Sequence, residues 1–442
     1  MKKYNRSRIL RISLAIVIII AIITCAFAFT KPMDYAENPP DPVSSETENS
    51  KSEIPSAKEA DEEPEFILPE DGEVSVEIYD KLPPPPEITI NLCAIGDVMA
   101  HDGTINSARR GNTYDFTAML EEIAPYTADA DYVVGNLETT FSGAERGYSG
   151  YPTFNTPEQM VDALKNVLGV DLLSTANNHS LDKSYTGLVS TLDFLDHYGI
   201  DHVGTYRTAQ EQQTPFITEI NGVKVAFMSY TYGSNNWIPS KQSYCLNVID
   251  KDKIQAEAQA AKDAGAEYII ALLHWGVEYQ RYASKSQREL AEWIFENTYT
   301  DLIIGNHAHV VQPIEEFNVE FNGQNKKGIV FYALGNFTCS QTKDYRNSGI
   351  IANIEIIINR EDTSKNRIDS ISYTPTFIDP NALATGKRYR VVALNKAISD
   401  YEKGSDPLLT KSEYDLIKRY KAGYAELLQT YPYITEFEDI LN

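Results

Sequence analysis

The sequence predicts a layered α/β protein that begins with a long non-globular N-terminal segment. After residue 87, apolar runs rich in β-formers alternate with amphipathic helical stretches, which is the pattern of helices packed on a largely buried sheet. The 442 residues are 42% hydrophobic, so the chain can bury one large core or two modest ones. Before residue 87 the composition is different, first apolar and then acidic and proline-rich.

Residues 1–30 are predicted to form a basic cytoplasmic flank and a transmembrane helix. Five Lys and Arg residues precede an almost wholly apolar run over residues 12–29, about the ~18 residues that mark a candidate span. The basic flank should stay in the cytoplasm, which predicts a single-pass protein of the cell membrane with an extracytoplasmic globular domain. A cleavable signal peptide is the alternative, because Ala26-Phe27-Ala28 resembles a processing site, but the apolar run is longer than a usual signal core.

Residues 31–87 are predicted to be a disordered linker. The segment holds 17 acidic residues against four lysines and contains four consecutive prolines, Pro83 to Pro86. Its like charges repel one another and polyproline is stiff. We therefore expect an extended acidic stalk with no binding role of its own.

The predicted globular domain, residues 88–395, is built from strands and helices in alternation. Apolar runs predict strands at residues 88–95, 131–134, 170–174, 223–230, 268–273, 302–304 and 329–334. Amphipathic periodicity predicts helices at residues 157–168, 185–198, 253–264 and 287–297. Two further strands, at 350–358 and 368–377, are expected to pair antiparallel. Residues 396–442 are expected to be a helical extension, with a tyrosine-rich helix at 412–429 packed on the outside.

The charge and the cysteines argue against several classes of protein. The net charge is −24, with 39 basic residues against 63 acids, so no nucleic-acid partner is expected, because binding to a phosphate backbone needs clustered Lys and Arg. The four cysteines lack the spacing of a zinc finger or a disulfide scaffold. A Cys245–Cys339 disulfide stays open, because sequence alone cannot place two α-carbons within bonding range.

Polar residues follow five of the predicted strands at the point where each ends. The segments are Gly96-Asp97-Val98-Met99-Ala100-His101, Gly135-Asn136-Leu137-Glu138, Asn177-Asn178-His179, His274-Trp275-Gly276 and Gly305-Asn306-His307-Ala308-His309. In an open α/β sheet, loops converge on a ligand at the carboxyl ends of the strands. Carboxylate, amide and imidazole groups gathered there suit divalent ions such as Mn, Fe or Zn.

Each segment alone also has an ordinary explanation. Asp97 could be a helix cap and Asn177-Asn178 a turn, and we interpret His197 and His202 as structural histidines near a helix end. Five such coincidences in one series of strand ends are less probable than one shared site. The sequence therefore predicts a metal site at this edge.

Taken in order, these segments and Leu334-Gly335-Asn336-Phe337 resemble the CapA-type poly-gamma-glutamate capsule synthesis family, a branch of the calcineurin-like metallophosphoesterase superfamily. The resemblance covers roughly residues 88–337. It implies a calcineurin-like metallophosphoesterase fold, a layered α/β/β/α sandwich, and two divalent metal ions. It also implies a role in capsule (poly-gamma-glutamate) biosynthesis, export or attachment.

The resemblance further implies a role for each residue of the site. By that resemblance Asp97 and His309 bind the first ion, with His101 as an optional further ligand. The second ion is bound by Asn178, His274 and His307, and Glu138 bridges the two. The predicted catalytic residues are His179, which contacts substrate and assists the leaving group, and Asn178. The predicted substrate-binding residues are His101, Asn136, Trp275 and Asn336.

General chemistry fits these roles. Two ions ~3.5–4 Å apart can activate a water molecule and clamp a phosphoryl oxygen. A histidine with the ordinary pKa near ~6.5 can carry the proton that a leaving group needs. Two departures from the superfamily pattern are typical of the capsule-synthesis branch: Met99 replaces the histidine of an Asp-x-His pair, and Glu138 replaces an aspartate.

Three interpretations of function stay open. The leading one is a metallophosphoesterase-type hydrolase outside the cytoplasmic membrane, acting on a phosphoester or an anionic envelope polymer, with an amide bond as a variant. The second is a non-catalytic subunit that binds an anionic polymer through metals and passes it to capsule synthesis membrane proteins. The third is a tethered scaffold with a vestigial site. The intact His179 favours chemistry, because a pure metal-binding module needs no unligated histidine beside the ions.

Overall fold

A computed structural model of the protein describes residues 87–380, 389–429 and 434–436. The predicted anchor, residues 1–30, and all but the last residue of the predicted linker, 31–87, lie outside the described residues. In the described part of the chain, no helix combines the length and the apolar character that a membrane crossing requires.

The secondary structure alternates as the sequence predicts. The strands β1 to β17 occupy Glu87–Val98, Arg109–Arg110, Thr113–Tyr114, Tyr132–Leu137, Leu172–Ser174, Asp201–Val203, Phe216–Ile220, Val223–Thr231, Tyr268–His274, Leu302–Asn306, Ile314–Phe321, Gln324–Phe331, Asn336–Thr338, Ser348–Asn359, Arg367–Asp379, Arg390–Ala393 and Ile434–Glu436. The helices α1 to α9 occupy Asp102–Ala108, Thr117–Leu120, Gln159–Leu168, Ser184–Tyr198, Ala209–Gln213, Lys251–Asp263, Lys285–Asn297, Leu394–Lys403 and Lys411–Leu428.

Fifteen of the strands form two large mixed sheets, and β2 and β3 form a separate two-stranded one. The first has the order β16-β15-β14-β1-β4-β5-β6, with β13 also beside β1 and β17 beside β15. The second has the order β11-β12-β10-β9-β8-β7. Each sheet has a parallel centre, β1-β4-β5-β6 in the first and β12-β10-β9-β8 in the second. The predicted antiparallel pair of the tail is confirmed, because β14 and β15 run antiparallel over most of their length.

The two sheets pack face to face, and the alternation of side chains along each strand decides which face is which. Ile90, Leu92 and Ala94 of β1 lie in one apolar cluster with Ile270 and Leu272 of β9. Successive residues of a strand point to opposite faces. The residues between these therefore point away from the other sheet, toward the outer face of their own sheet.

Those intervening residues pack against helices on the outer faces. Cys93 and Ile95 of β1 share a cluster with α3, whereas Ile269 and Ala271 of β9 share one with α6 and α7. The order of the layers is therefore helix, sheet, sheet, helix. This confirms the layered α/β architecture that the sequence predicts.

The C-terminal helix α9 lies deeper than the sequence suggests. Its Tyr420 and Tyr424 side chains are completely buried and belong to the cluster between the sheets. Their hydroxyls donate to Asn347 Oδ1 at 3.0 Å and to Ser348 Oγ at 2.9 Å. The helix was expected on the outside because its sequence is amphipathic, but its tyrosine face extends the inner core beside β14 and β15.

The cysteines of the described residues are free thiols. Cys93, Cys245 and Cys339 are buried and unpaired. Cys245 lies in a small cluster with residues of α4, whereas Cys339 lies in the cluster under the first sheet. The Cys245–Cys339 disulfide, which the sequence could neither predict nor exclude, is therefore absent.

Glu257 of α6 is a partly buried carboxylic acid outside the strand-end cluster. Its Oε2 accepts a short hydrogen bond from the hydroxyl of Tyr230 on β8. Burial raises the pKa of Glu257 to about 7. Because this folded-state pKa lies above the unfolded value, the group stabilises the fold fully only below about pH 4.5, and this contribution is lost as the pH rises through about 7.

We expect Glu257→Gln to gain stability relative to the wild type as the pH rises. Glutamine can still accept the Tyr230 hydrogen bond and never carries the buried charge. The variant's advantage in free energy of unfolding should be about 1–3 kcal/mol larger at pH 8 than at pH 5. Urea unfolding at both pH values measures it, with the exposed Glu296→Gln as control. An advantage that does not change with pH would contradict the assignment.

Candidate metal centre

The predicted strand-end residues converge on one edge of the two facing sheets. Asp97 near the end of β1 pairs with Asn136 of β4 on one side and Asn336 of β13 on the other. In the second sheet, His274 ends β9 and pairs with Asn306 at the end of β10. Because these strands are parallel within each sheet, their carboxyl ends bring the polar groups together.

The acidic and imidazole side chains form two overlapping groups. Their ligand atoms lie within 4.8 Å of one another in each group, which are Glu138 with His274 and His307, and Asp97 with Glu138 and His309. Glu138 belongs to both, with Oε1 at 3.6 Å from His274 Nε2 and 3.7 Å from His309 Nε2. All five residues are buried.

Several of these atoms have no hydrogen-bond partner among the described residues. The buried atoms without one include both Glu138 carboxylate oxygens, Asp97 Oδ2, His307 Nδ1, Asn136 Oδ1 and Asn306 Oδ1. Buried polar atoms in proteins are normally satisfied, and an unpaired buried carboxylate is costly. The Glu138 and Asp97 oxygens and His307 Nδ1 belong to residues of the two groups, and a divalent cation in each group would supply their missing partner.

The electrostatics support the same conclusion. Burial raises the pKa of Glu138 well above its usual value. Burial also opposes protonation of His309, but the carboxylates of Glu138 and Asp97 outweigh it and raise the pKa of His309 to about 9. A proton on His309 and a charge on Glu138 therefore stabilise each other. A cation would take over this role, because it stabilises ionised Glu138 and competes with protons for its ligands.

The histidines of the second sheet are neutral. Burial, with the neighbouring histidines, lowers the pKa of His307 to about 3 and that of His274 well below its usual range. Neutral imidazoles keep a lone pair that can bind a metal. Asn178, the predicted amide ligand, places Oδ1 at 2.7 Å from His274 Nε2, so the structure brings it to this half of the centre.

Asn136 and Asn336, predicted to bind substrate, contact the side chains of the two ligand groups. Asn136 Nδ2 donates to Asp97 Oδ1 at 2.7 Å and lies 3.2 Å from His274 Nδ1. Asn336 Oδ1 lies 3.0 Å from His309 Nδ1. Both residues are completely buried, so they orient ligands in the manner of outer-shell partners.

His179 stands beside the centre, outside both groups. Its Nδ1 donates to Asp182 Oδ2 at 2.7 Å, and its Nε2 lies 3.4 Å from Asn235 Nδ2. It lies near enough that a positive charge on its ring would lower the pKa values of His274 and His307. Asp182 also accepts from the amide of Phe154 at 2.6 Å and from Asn236 at 2.8 Å. It was not singled out in the sequence, although it lies only three residues after His179.

The two other predicted substrate-binding residues have different positions. His101 accepts from the amide of Ser340 at 3.3 Å, and burial followed by the charges of His309 and His179 lowers its pKa to about 4. It therefore lies within electrostatic reach of the centre, but in neither group. Trp275 does not line the site: its indole stacks on Tyr332 and belongs to the outer apolar cluster of the second sheet. The prediction for Trp275 is wrong, because Trp275 follows His274 directly and so points to the opposite face.

The backbone is unusual where it carries the ligands. A Cβ at Gly96 would lie 1.9 Å from the carbonyl oxygen of Gly335, so only glycine allows β1 to approach that turn. His307 and His309 have positive φ angles, 94° and 56°, which is uncommon for residues other than glycine. Such strain is typical of functional sites.

Two partly exposed tyrosines, Tyr232 and Tyr279, lie beside the centre, and we call this side of it the opening. Neither was predicted from the sequence. The ring of Tyr232 lies 4.5 Å from that of His307, and the ring of Tyr279 lies 5.8 Å from that of His309. Their exposed fractions are 46% and 38%. The only signal in the sequence is their position, just after β8 and shortly after β9.

Comparison with known proteins gives a family and several relatives. A family model described as "Bacterial capsule synthesis protein PGA_cap" matches residues 91–341. The chain is 28% identical to the capsule biosynthesis protein CapA of Bacillus anthracis, over 58% of this chain and 62% of that protein. It is also 28% identical to the PGA biosynthesis protein CapA of Bacillus subtilis, over 51% and 57% of the two chains. The chain thus spans about three fifths of the length of these relatives.

The similarity to solved structures is weaker than the similarity to these two capsule proteins. The calcineurin-like phosphoesterase YfkN of Bacillus subtilis is 14% identical, with a TM-score of 0.38, over 77% of this chain and 99% of that one.

Proposed function

The chain belongs to the bacterial capsule synthesis PGA_cap family, and on this premise we propose that it is a metal-dependent hydrolase of capsule synthesis, of the metallophosphoesterase type. The observation that carries the proposal is that Glu138, a buried carboxylate whose oxygens have no hydrogen-bond partner among the described residues, belongs to both ligand groups. A carboxylate shared by two sets of donors would suit a site that holds two divalent cations. His179 beside them supplies a group that metal binding alone does not need.

Two divalent ions would be held by this chain's own residues. Asp97, Glu138 and His309 would hold one, and Glu138, His274 and His307, with Asn178, the other. Mixed oxygen and imidazole donors suit Mn, Fe or Zn. When bound, such ions supply Lewis acidity at a phosphoryl oxygen and lower the pKa of a water molecule.

The protein's own side chains would contribute a general acid, His179, which is positioned to protonate the leaving group. His179 would donate from Nε2 to the departing oxygen, while Asp182 holds Nδ1 and stabilises the imidazolium, as a carboxylate does for a histidine in other acid–base pairs. Asn235 lies beside Nε2 at 3.4 Å and would give way to the substrate. Tyr232 and Tyr279 would flank the substrate as it enters.

The setting of the reaction is also a proposal. The basic flank and the apolar run over residues 12–29 support a membrane anchor with the hydrolase domain outside the cell membrane. The substrate would be a phosphoester or an anionic envelope polymer, and capsule synthesis membrane proteins would be its partners. The net charge of −24 favours contact with an anion through metal ions over a broad basic surface.

Metal content and turnover of the full-length protein in detergent test the function. We expect the protein to bind two equivalents of Mn²⁺ and to hydrolyse bis-p-nitrophenyl phosphate. Metal bound without turnover of any phosphodiester or amide substrate would overturn the hydrolase and favour a polymer-binding subunit. Failure to bind metal would overturn both.

A further inference from the structure

Arg346 lies beside the metal centre with no carboxylate partner. It is in the loop between β13 and β14, beyond the residues that the family model matches. No carboxylate of residues 87–380, 389–429 or 434–436 forms an ion pair with it, and Asp344, two residues away, pairs with Arg419 at 2.7 Å instead. The guanidinium lies over the ring of Tyr279, 3.3 Å from its centroid.

Arg346 is linked to the metal centre by two contacts, one of its backbone and one of its side chain. Its backbone carbonyl accepts from Asn336 Nδ2 at 2.7 Å, and the same Asn336 contacts His309. Its side chain lies on Tyr279, whose ring in turn lies 5.8 Å from that of His309. The arginine is therefore fixed at both ends relative to one ligand of the proposed centre.

A neighbouring arginine, Arg281, has a structural role and serves as a comparison for Arg346. Arg281 also lies on a tyrosine ring, that of Tyr345, at 3.9 Å. However, its Nη2 donates to the backbone carbonyl of Gly423 at 2.8 Å, so its guanidinium is anchored to the fold. The Arg346 guanidinium has no such hydrogen bond among the described residues, and the ring that holds it is partly exposed at the opening.

A guanidinium held by an aromatic face keeps its N–H edge free. The planar fork matches the two oxygens of a carboxylate or a phosphate, and stacking on the ring orders the side chain before an anion arrives. Glu278 adds a negative charge near Glu138 and His309, and it forms no ion pair with Arg346 that would occupy the guanidinium. An unpaired arginine at this position gives an approaching anion one favourable place to bind.

We propose that Arg346, held on Tyr279, binds a second anionic group of the substrate, a carboxylate or a phosphate, while the metal centre takes the group that reacts. The inference rests on the proposed function and narrows its substrate class to molecules with at least two acidic groups. A polymer with an acid in each repeat meets this requirement.

Binding of small anions to the Mn²⁺-loaded, full-length protein tests Arg346. The probes are glycerol 3-phosphate, with one anionic group, 3-phosphoglycerate, with an added carboxylate, and 1,3-propanediol bisphosphate, with an added phosphate. By calorimetry, at least one doubly anionic probe should bind about tenfold or more tighter than glycerol 3-phosphate, and the better of the two identifies the second group. Arg346→Met should reduce this advantage to about twofold or less, and Arg346→Lys should keep part of it.

Matched variants separate charge from folding. Arg367 pairs with Glu87 at the opposite end of β1, so Arg367→Met removes the same charge far from the centre and should keep the advantage. Tyr279→Phe keeps the ring and should keep it too, whereas Tyr279→Leu should weaken it. Equal binding of all three probes by the wild type, or equal losses in Arg346→Met and Arg367→Met, would overturn the proposal. Because binding needs no turnover, a protein that discriminates the probes but hydrolyses nothing would overturn the hydrolase and leave the anion site standing.

Discussion

Glu138→Gln is expected to remove metal from both halves of the centre and to lower hydrolysis of bis-p-nitrophenyl phosphate by about a thousandfold or more. Glu138 is shared by the two ligand groups, so its loss affects both ions, unlike the loss of His274 or His307. The amide keeps the size of the side chain but removes the negative charge that offsets two cations. Metal analysis and steady-state kinetics on the purified protein measure both effects.

The control for this prediction is a second glutamate, Glu257, which is partly buried. Glu257→Gln changes the same functional group in the outer layer of the second sheet, where Glu257 is bonded to Tyr230. It should keep both metal content and turnover. If Glu138→Gln keeps two equivalents of metal and near-normal turnover, the shared carboxylate is not a bridge and the proposed centre is wrong.

His179→Ala is expected to keep its metal and to lose turnover in a way that depends on the leaving group. A general acid contributes about 10²–10⁴-fold to a reaction, and this contribution matters most when the departing oxygen is strongly basic. The loss should therefore be small for p-nitrophenol as the leaving group and large for an unactivated alcohol. Comparing kcat for two such diesters in wild type and variant measures it.

The partner and a distant histidine serve as comparisons for His179. Asp182→Asn should cause a smaller loss with the same dependence on the leaving group, because Asp182 acts only by holding His179 Nδ1. His202, which contacts the carboxylate of Asp196 at 3.1 Å, lies at the helix side of the first sheet, and His202→Ala should leave both rates unchanged. A loss in His179→Ala that is equal for both leaving groups would show that the histidine does not act as an acid.

The positions of the main strands along the chain, and the gathering of the residues after them at one edge, follow from the sequence alone. Continuous apolar runs identify buried strands, and a parallel sheet gathers the residues after them at one edge. That rule places the residues after five strands, from Asp97 to His309, in one set. The choice of ligands within that set is what the resemblance to the capsule synthesis family implies, namely Asp97, Glu138, Asn178, His274, His307 and His309. The sequence is sufficient to predict that these residues meet at one edge of the sheet, because each of them follows directly after an apolar run that identifies a strand.

Which polar groups hold the ligands, and which face the opening, was decided only by the tertiary structure. Asn136 and Asn336 lie on either side of Asp97 because β4 and β13 both pair with β1. The local sequence of a strand does not predict which distant strand will pair with it. Trp275 lies one residue from His274 but on the other face of the sheet, and Arg346 reaches Tyr279 across a gap of 67 positions. Local periodicity carries information over a few residues, whereas these contacts depend on how the two sheets pack, which only the folded chain specifies.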